Sequence, residues 1–149
     1  MNSIAHISQG TERNYSIPLA ELLAGLSGWV STHPINDSVI IAGLCDDSRA
    51  VGPSSMFVAI KGDKHDGHRS IAEAVQRGAL AVVIERGAIE QEDLSTLEVA
   101  VIEVVDSRAA LAPLASAFYR HPASEMTMVG ITGTNGKTTV CYLIEQTLR

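Results

Sequence analysis

Apolar residues in this chain fall into short dense runs separated by polar, glycine-bearing breaks. SVIIAGLC (38–45), MFVAI (56–60), ALAVVIE (79–85), VAVIEV (99–104) and MTMVGIT (126–132) are rich in β-branched residues and too short for helices. They predict buried strands. Between them lie stretches with helical spacing. SIPLAELLAGLSG (16–28) predicts a helix with Ser16 as cap, Pro18 early and Gly25 or Gly28 at its end. SIAEAVQRG (70–78) predicts a helix closed by Gly78, and SRAALAPLASAFYR (107–120) one capped by Asp106 and interrupted at Pro113. A last helix, GKTTVCYLIEQTL (136–148), carries Val140, Leu143, Ile144 and Leu148 on one face.

Strands alternating with helices predict an α/β fold with mostly parallel pairing. The expected core comprises Val39, Ile41, Phe57, Val58, Ile60, Val82, Val83, Val101 and Ile102. Residues 1–15 are polar and patternless and read as a flexible tail. The break RHPASE (120–125) divides a small unit, 16–122, from a strand, loop and helix, 123–149, that cannot form a core of their own.

Composition changes this picture little. The 149 residues are 46% hydrophobic and 19% charged, as in ordinary globular chains. A net charge of −6 argues against nucleic acid or an acidic membrane as partner, but not against small anions. Cys45 and Cys141 have no metal-type spacing and read as buried thiols. With no apolar leader and no membrane-length run, a cytoplasmic location is expected.

The sharpest chemical signal is GITGTNGKTTV (130–140). A strand, then glycines, then Lys-Thr opening a helix lets backbone N–H groups wrap phosphate oxygens. The candidate ATP-binding residues are Gly133, Thr134, Asn135, Gly136, Lys137, Thr138 and Thr139, with Lys137 for the β/γ phosphates and the Thr138 hydroxyl for Mg²⁺. The loop departs from the usual G-x-x-x-x-G-K-[ST] pattern, because Ile131 stands where the first glycine belongs. A second polar loop, KGDKHDGHR (61–69), alternates Asp63, His65, Asp66 and His68. That composition suits metal ligands, yet no fixed-spacing partner exists elsewhere and Asp66-Gly67 reads as a turn. His121, before Pro122, reads as a linker residue.

TGTNGKTT resembles the ATP loop of the Mur ligase family, and DDSRAVGPSSMFVAIKGDKHDGHRSIAEAVQRGALAVVIE (46–85) resembles the N-terminal UDP-binding unit of its members that add the third and last residues of the peptidoglycan stem. ASAFYRHPASEMTMVGITGTNGKTT is most similar to the third-residue branch. The resemblance covers residues 16–149 but only the first third of such an enzyme, so the chain reads as a fragment cut shortly after the ATP loop. It implies a monomeric ligase that uses ATP and Mg²⁺ to join diaminopimelate or lysine to UDP-MurNAc-L-Ala-D-Glu through an acyl phosphate. By position it implies contacts to UDP-MurNAc from Asp46, Ser48, Asp63, Lys64 and His65. Asp46 stands where the family often has an apolar residue, and Asp63, Lys64 and His65 where it typically has His-Gln-Ala. The resemblance implies no catalytic residue within this chain, and alone it is expected to bind only the UDP end. The competing readings are a last-residue ligase, another P-loop hydrolase or kinase, and a non-catalytic uridine-nucleotide module. Ser48 is further expected to matter to the ligand and not to the stability of the free protein.

Overall fold

The computed structural model describes residues 15–148, except 33, 37, 64, 91, 92 and 95. The elements run β1 (Ile17–Pro18), α1 (Leu19–Leu23), β2 (Val30–Ser31), β3 (Ile40–Ile41), β4 (Gly43–Cys45), β5 (Ser55–Val58), α2 (Ile71–Gln76), β6 (Ala79–Glu85), β7 (Ala100–Val104), α3 (Ser107–Phe118) and α4 (Lys137–Leu148). Five strands form one sheet in the order β2-β7-β6-β5-β4. The four strands from β4 to β7 are parallel, and β2 joins the edge antiparallel to β7. The expected α/β class with mostly parallel pairing is what the chain adopts.

Strand alternation sorts the core into two layers. Met56, Val58, Ala81, Val83, Ile102 and Val104 face one way, against Leu19, Leu22 and Leu23 of α1 and Ala110, Leu114 and Phe118 of α3. Phe57, Val82, Ile84 and Val101 face the other way, against Ile71 and Ala74 of α2 and Leu94. With helices on both faces, the central strands need no polar side, which is why they read as continuous apolar runs. Of the expected core, Val39 and Ile60 are only half-buried and pack at its margin.

Several boundaries move. Ser16 caps nothing among the described contacts, and α1 begins later, because Ile17 and Pro18 pair antiparallel with Ile41 and Ile40. The single strand expected over 38–45 is two, in different sheets. Ala42, between them, donates its N–H to the carbonyl of Ser54 at 2.7 Å. Gly43 then lies beside Ser55, where a Cβ would meet Ser55 Oγ at 2.8 Å. Asp106 caps α3 as expected, accepting from Ala109 N–H at 2.9 Å. Pro113 sits inside α3 without ending it. His121 closes that helix from a left-handed backbone (φ 52°), donating its N–H to Ser116 O at 2.7 Å.

The strand expected over 126–132 does not form: residues 126–136 pair with no strand, and Met126, Met128 and Val129 are exposed. A lone extended segment has no neighbour to accept its N–H groups, so nothing selects the strand geometry. Helix α4 forms over the expected residues but buries none of them.

Candidate functional site

Parallel strands place their carboxyl ends on one edge of the sheet, where open α/β sheets bind ligands. Here that edge carries the turn after β4, residues 46–50, and the loop after β5, residues 59–70.

The first is a 3-10 turn, Ser48–Ala50, capped by Asp47, whose Oδ1 accepts from Arg49 N–H at 3.0 Å. Arg49 also pairs with the same carboxylate through its side chain at 2.6 Å. The hydrogen bond from the Arg49 guanidinium holds the Asp47 carboxyl down to about 2. Ser48 is buried, and its hydroxyl donates to Glu73 Oε2 at 2.8 Å. Glu73 is held below the usual carboxylate range by that hydroxyl first and by Arg77 second. Arg77 donates to Glu73 Oε1 at 3.1 Å and to Arg49 O at 3.3 Å. Asp46 is half-buried at the end of β4. Burial pushes the neighbouring Cys45 thiol up.

The second loop is folded tightly on itself. Gly62 N–H donates to His65 O at 2.9 Å, and Lys61 and Asp66 form an isolated bridge. Gly67 N–H donates to Ile60 O at 3.0 Å. A Cβ on Gly67 would meet Ile60 N at 2.8 Å and Ile60 O at 2.9 Å, so this position requires glycine for close approach. Gly67→Ala is therefore expected to destabilise by about 1–3 kcal/mol, read as a lower thermal midpoint by circular dichroism; an unchanged midpoint would show that the loop yields freely.

His68 anchors the loop to the sheet. Its Nε2 accepts from Glu85 N–H at 3.1 Å, which places the ring proton on Nδ1, 2.6 Å from Asp66 Oδ1. That hydrogen bond lowers the Asp66 carboxyl. Asp66 and His68 thus satisfy one another and the backbone. Asp63 and His65 are exposed, and His65 Nε2 is hydrogen-bonded to Ser70 Oγ at 3.1 Å. Lys64 lies outside the described residues. Arg108, in the first turn of α3, donates to Lys61 O at 3.2 Å.

The structure therefore brings Ser48 and His65 to the same place, the start of α2, through Glu73 and Ser70 respectively. Sequence reasoning missed Glu73, Ser70 and Arg77. Their signal is helical spacing, three and then four residues apart, which puts them on one face but does not show what that face meets. It also expected Ser48 to matter to the ligand and not to the stability of the free protein. The hydroxyl proton is committed to Glu73, which leaves Ser48 only its lone pairs to offer, and its removal costs a buried hydrogen bond. Ser48→Ala is accordingly expected to lower the thermal midpoint of the free protein as well as weaken ligand binding by about 1–3 kcal/mol; a melting curve superimposable on the wild type would contradict the geometry.

The loop of residues 132–136 is exposed, and Ile131 before it is half-buried. Gly133 and Gly136 take φ of 153° and 79°, conformations that favour glycine. Lys137 Nζ folds back to donate to Gly133 O at 2.6 Å, and Val140 N–H donates to Gly136 O at 3.0 Å as the helix begins. Lys137 and Thr138, with Cys141, Tyr142 and Glu145, line an open depression of about 270 Å³. All five of these residues belong to α4.

No helix among the described residues is long and apolar enough to cross a membrane. The sequence pattern of the Mur ligase family, catalytic domain, matches residues 40–119, which is more than half of the chain. A UDP-N-acetylmuramoyl-L-alanyl-D-glutamate--2,6-diaminopimelate ligase from Caldanaerobacter subterraneus subsp. tengcongensis is 44% identical over 130 residues, 87% of this chain and 25% of that protein. A UDP-N-acetylmuramyl-tripeptide synthetase from Roseiflexus sp. is 46% identical over 125 residues, 84% of this chain and 23% of its own length. Among solved structures, the UDP-N-acetylmuramoylalanyl-D-glutamyl-2,6-diaminopimelate--D-alanyl-D-alanyl ligase from Acinetobacter baumannii superposes with a TM-score of 0.64 at 26% identity, over 87% of this chain and 27% of that one. The chain thus spans about a quarter of the length of the curated relatives it matches. A doubly covered parallel sheet, the two loops at its carboxyl edge and these matches agree: the chain belongs to the Mur ligase family.

Proposed function

We propose that this chain is the part of an ATP-dependent ligase of peptidoglycan synthesis that holds the uridine end of UDP-MurNAc-L-Ala-D-Glu, and that the whole protein adds the third stem residue. Residues 16–122 form the UDP-binding unit and residues 123–149 begin the ATP-binding unit. The observation that carries the reading is that Ser48 and His65 both hydrogen-bond to the start of α2, at the carboxyl edge of the sheet. The names of the relatives at 44% and 46% identity support the third-residue reaction, against 26% for the last-residue ligase that shares the fold. The first of these relatives is named for diaminopimelate, which favours it over lysine as the incoming amino acid.

The glycine loop fits a nucleotide phosphate. Two glycines hold conformations that keep side chains out of its path, and the Lys137 ammonium is exposed and tied only to loop carbonyls. Gly133, Thr134, Asn135, Gly136 and Thr139 would offer backbone N–H groups, Lys137 its charge, and Thr138 its hydroxyl to Mg²⁺. ATP with Mg²⁺, when bound, supplies the phosphoryl group that makes a carboxylate reactive toward an amine. Lys137 would neutralise charge on that group, while the sheet edge would hold the far end of the substrate through Asp46, Ser48, Asp63, Lys64 and His65.

Isothermal titration of the 149-residue chain with UDP and, separately, with ATP·Mg²⁺ tests the division. UDP is expected to bind and ATP·Mg²⁺ to reach millimolar affinity at best, because residues 132–136 are exposed and α4 buries none of its residues. Tight ATP·Mg²⁺ binding with no response to UDP would sink this reading in favour of a free-standing P-loop protein.

A further inference from the structure

Ser48 is buried against α2 with its hydroxyl 2.8 Å from Glu73 Oε2. A carboxylate only accepts, so the Ser48 proton points at Glu73 and the Ser48 lone pairs are what a ligand can reach. Glu73 cannot turn away easily: its other oxygen accepts from Arg77 Nε at 3.1 Å, and Arg77 is fixed in turn to the carbonyl of Arg49 in the same 3-10 turn. Ser48, Glu73, Arg77 and Arg49 form a closed ring that begins and ends in the 48–50 turn. Ser48 and Arg77 both donate into the Glu73 carboxylate, and Arg77 donates also to the Arg49 carbonyl.

We infer that Glu73 is a specificity-determining positioning residue, which fixes Ser48 as a hydrogen-bond acceptor and so selects a uracil base over cytosine. The inference rests on the proposed uridine site. Uracil and cytosine have nearly the same shape. They differ on the edge that pairs, where uracil carries an N3–H donor beside a carbonyl and cytosine an N3 lone pair beside an amino donor, and in this inference Ser48 stands opposite N3. An acceptor-only hydroxyl bonds the first and sets a lone pair against the second. A buried polar atom facing a like partner is left unpaired and desolvated, which is how sites that hydrogen-bond a group reject analogues lacking it. A serine free to rotate would offer its proton to cytosine N3 and discriminate poorly. Glu73 acts through Ser48 and need not touch the ligand.

The test is the ratio of CDP to UDP dissociation constants, by isothermal titration on the 149-residue chain. In the wild type UDP is expected to bind at least about tenfold more tightly, the value of one hydrogen bond. Glu73→Gln is nearly isosteric. Its amide oxygen is drawn to the charged Arg77, so its NH₂ faces Ser48 and donates. The Ser48 proton is then released toward the ligand, the hydrogen bond between Ser48 and residue 73 reverses, and the ratio is expected to fall at least about fivefold with CDP gaining in absolute affinity. Ser48→Ala, which removes the group altogether, is expected to bring the two affinities within about threefold. A structural role for Glu73 would weaken UDP and CDP alike and leave the ratio unmoved, which overturns the inference. So does a wild type that binds UDP without preferring it. A wild type that binds no UDP overturns the uridine site first, and this inference with it.

Discussion

Lys137→Ala is expected to abolish ligation in a protein that joins this chain to the remaining length of its relatives, with a loss of at least about a thousandfold in turnover. The charge that develops on a transferring phosphoryl group needs a fixed cation, and removing such a group from related sites costs about 10³–10⁵ in rate. Lys137 is the described residue placed to supply it, at the mouth of a loop whose glycines keep other side chains away. The variant should still bind UDP with wild-type affinity, because Ser48 and His65 hydrogen-bond to Glu73 and Ser70, whereas Lys137 bonds to its own loop. In the 149-residue chain alone the same substitution should change neither UDP affinity nor thermal midpoint, since the ammonium bonds only to its own loop. Single-turnover ligation and titration calorimetry check both halves. A full-length Lys137→Ala protein that ligates at a tenth of the wild-type rate would remove Lys137 from the chemistry.

Phe57→Ala should have the largest effect on folding. Phe57 lies on β5 between two parallel neighbours and is 1% exposed, packed with Val82, Ile84, Val101 and Ile71 beneath α2. Truncating a buried phenylalanine costs about 3–5 kcal/mol, because transfer energy is lost and the surrounding side chains cannot close the void. Small domains are stable by about 5–15 kcal/mol, so the thermal midpoint should fall by roughly 15 °C or more, or cooperativity should vanish. Val140→Ala is the matched control. Val140 is 40% exposed on a helix with no buried residue, and its loss should stay within about 0.5 kcal/mol. If the two variants melted alike, the core would not be centred on the sheet.

Both predictions turn on the same asymmetry. Residues 15–120 supply each other's partners, whereas α4 presents Tyr142, Leu143 and Leu148 to solvent. The apolar runs at 56–60, 79–85 and 99–104 were legible as strands because burial on both faces leaves an uninterrupted apolar signature, and periodicity reports burial directly. The Asp106 cap and the Gly78 stop were legible because both depend on residues within one turn of themselves. The run at 126–132 carries the same apolar signature, yet it forms no strand, because pairing is a property of two segments and a pattern along one cannot supply the second.

The glycine loop's chemistry was set by local spacing: glycine conformations and the adjacent Lys137 and Thr138 are neighbours along the chain, so the sequence by itself determined which residues could cradle a phosphate. It likewise determined the alternation of strand and helix, and the resemblance that goes with the motifs. Which loops share a site was decided only by tertiary structure. Ser48 and Glu73 are 25 positions apart, and His68 meets the Glu85 backbone across 17. Such contacts depend on strand order and register. Parallel β4, β5 and β6 bring three carboxyl ends to one edge, and only there does a hydroxyl acquire the carboxylate that fixes the direction of its proton.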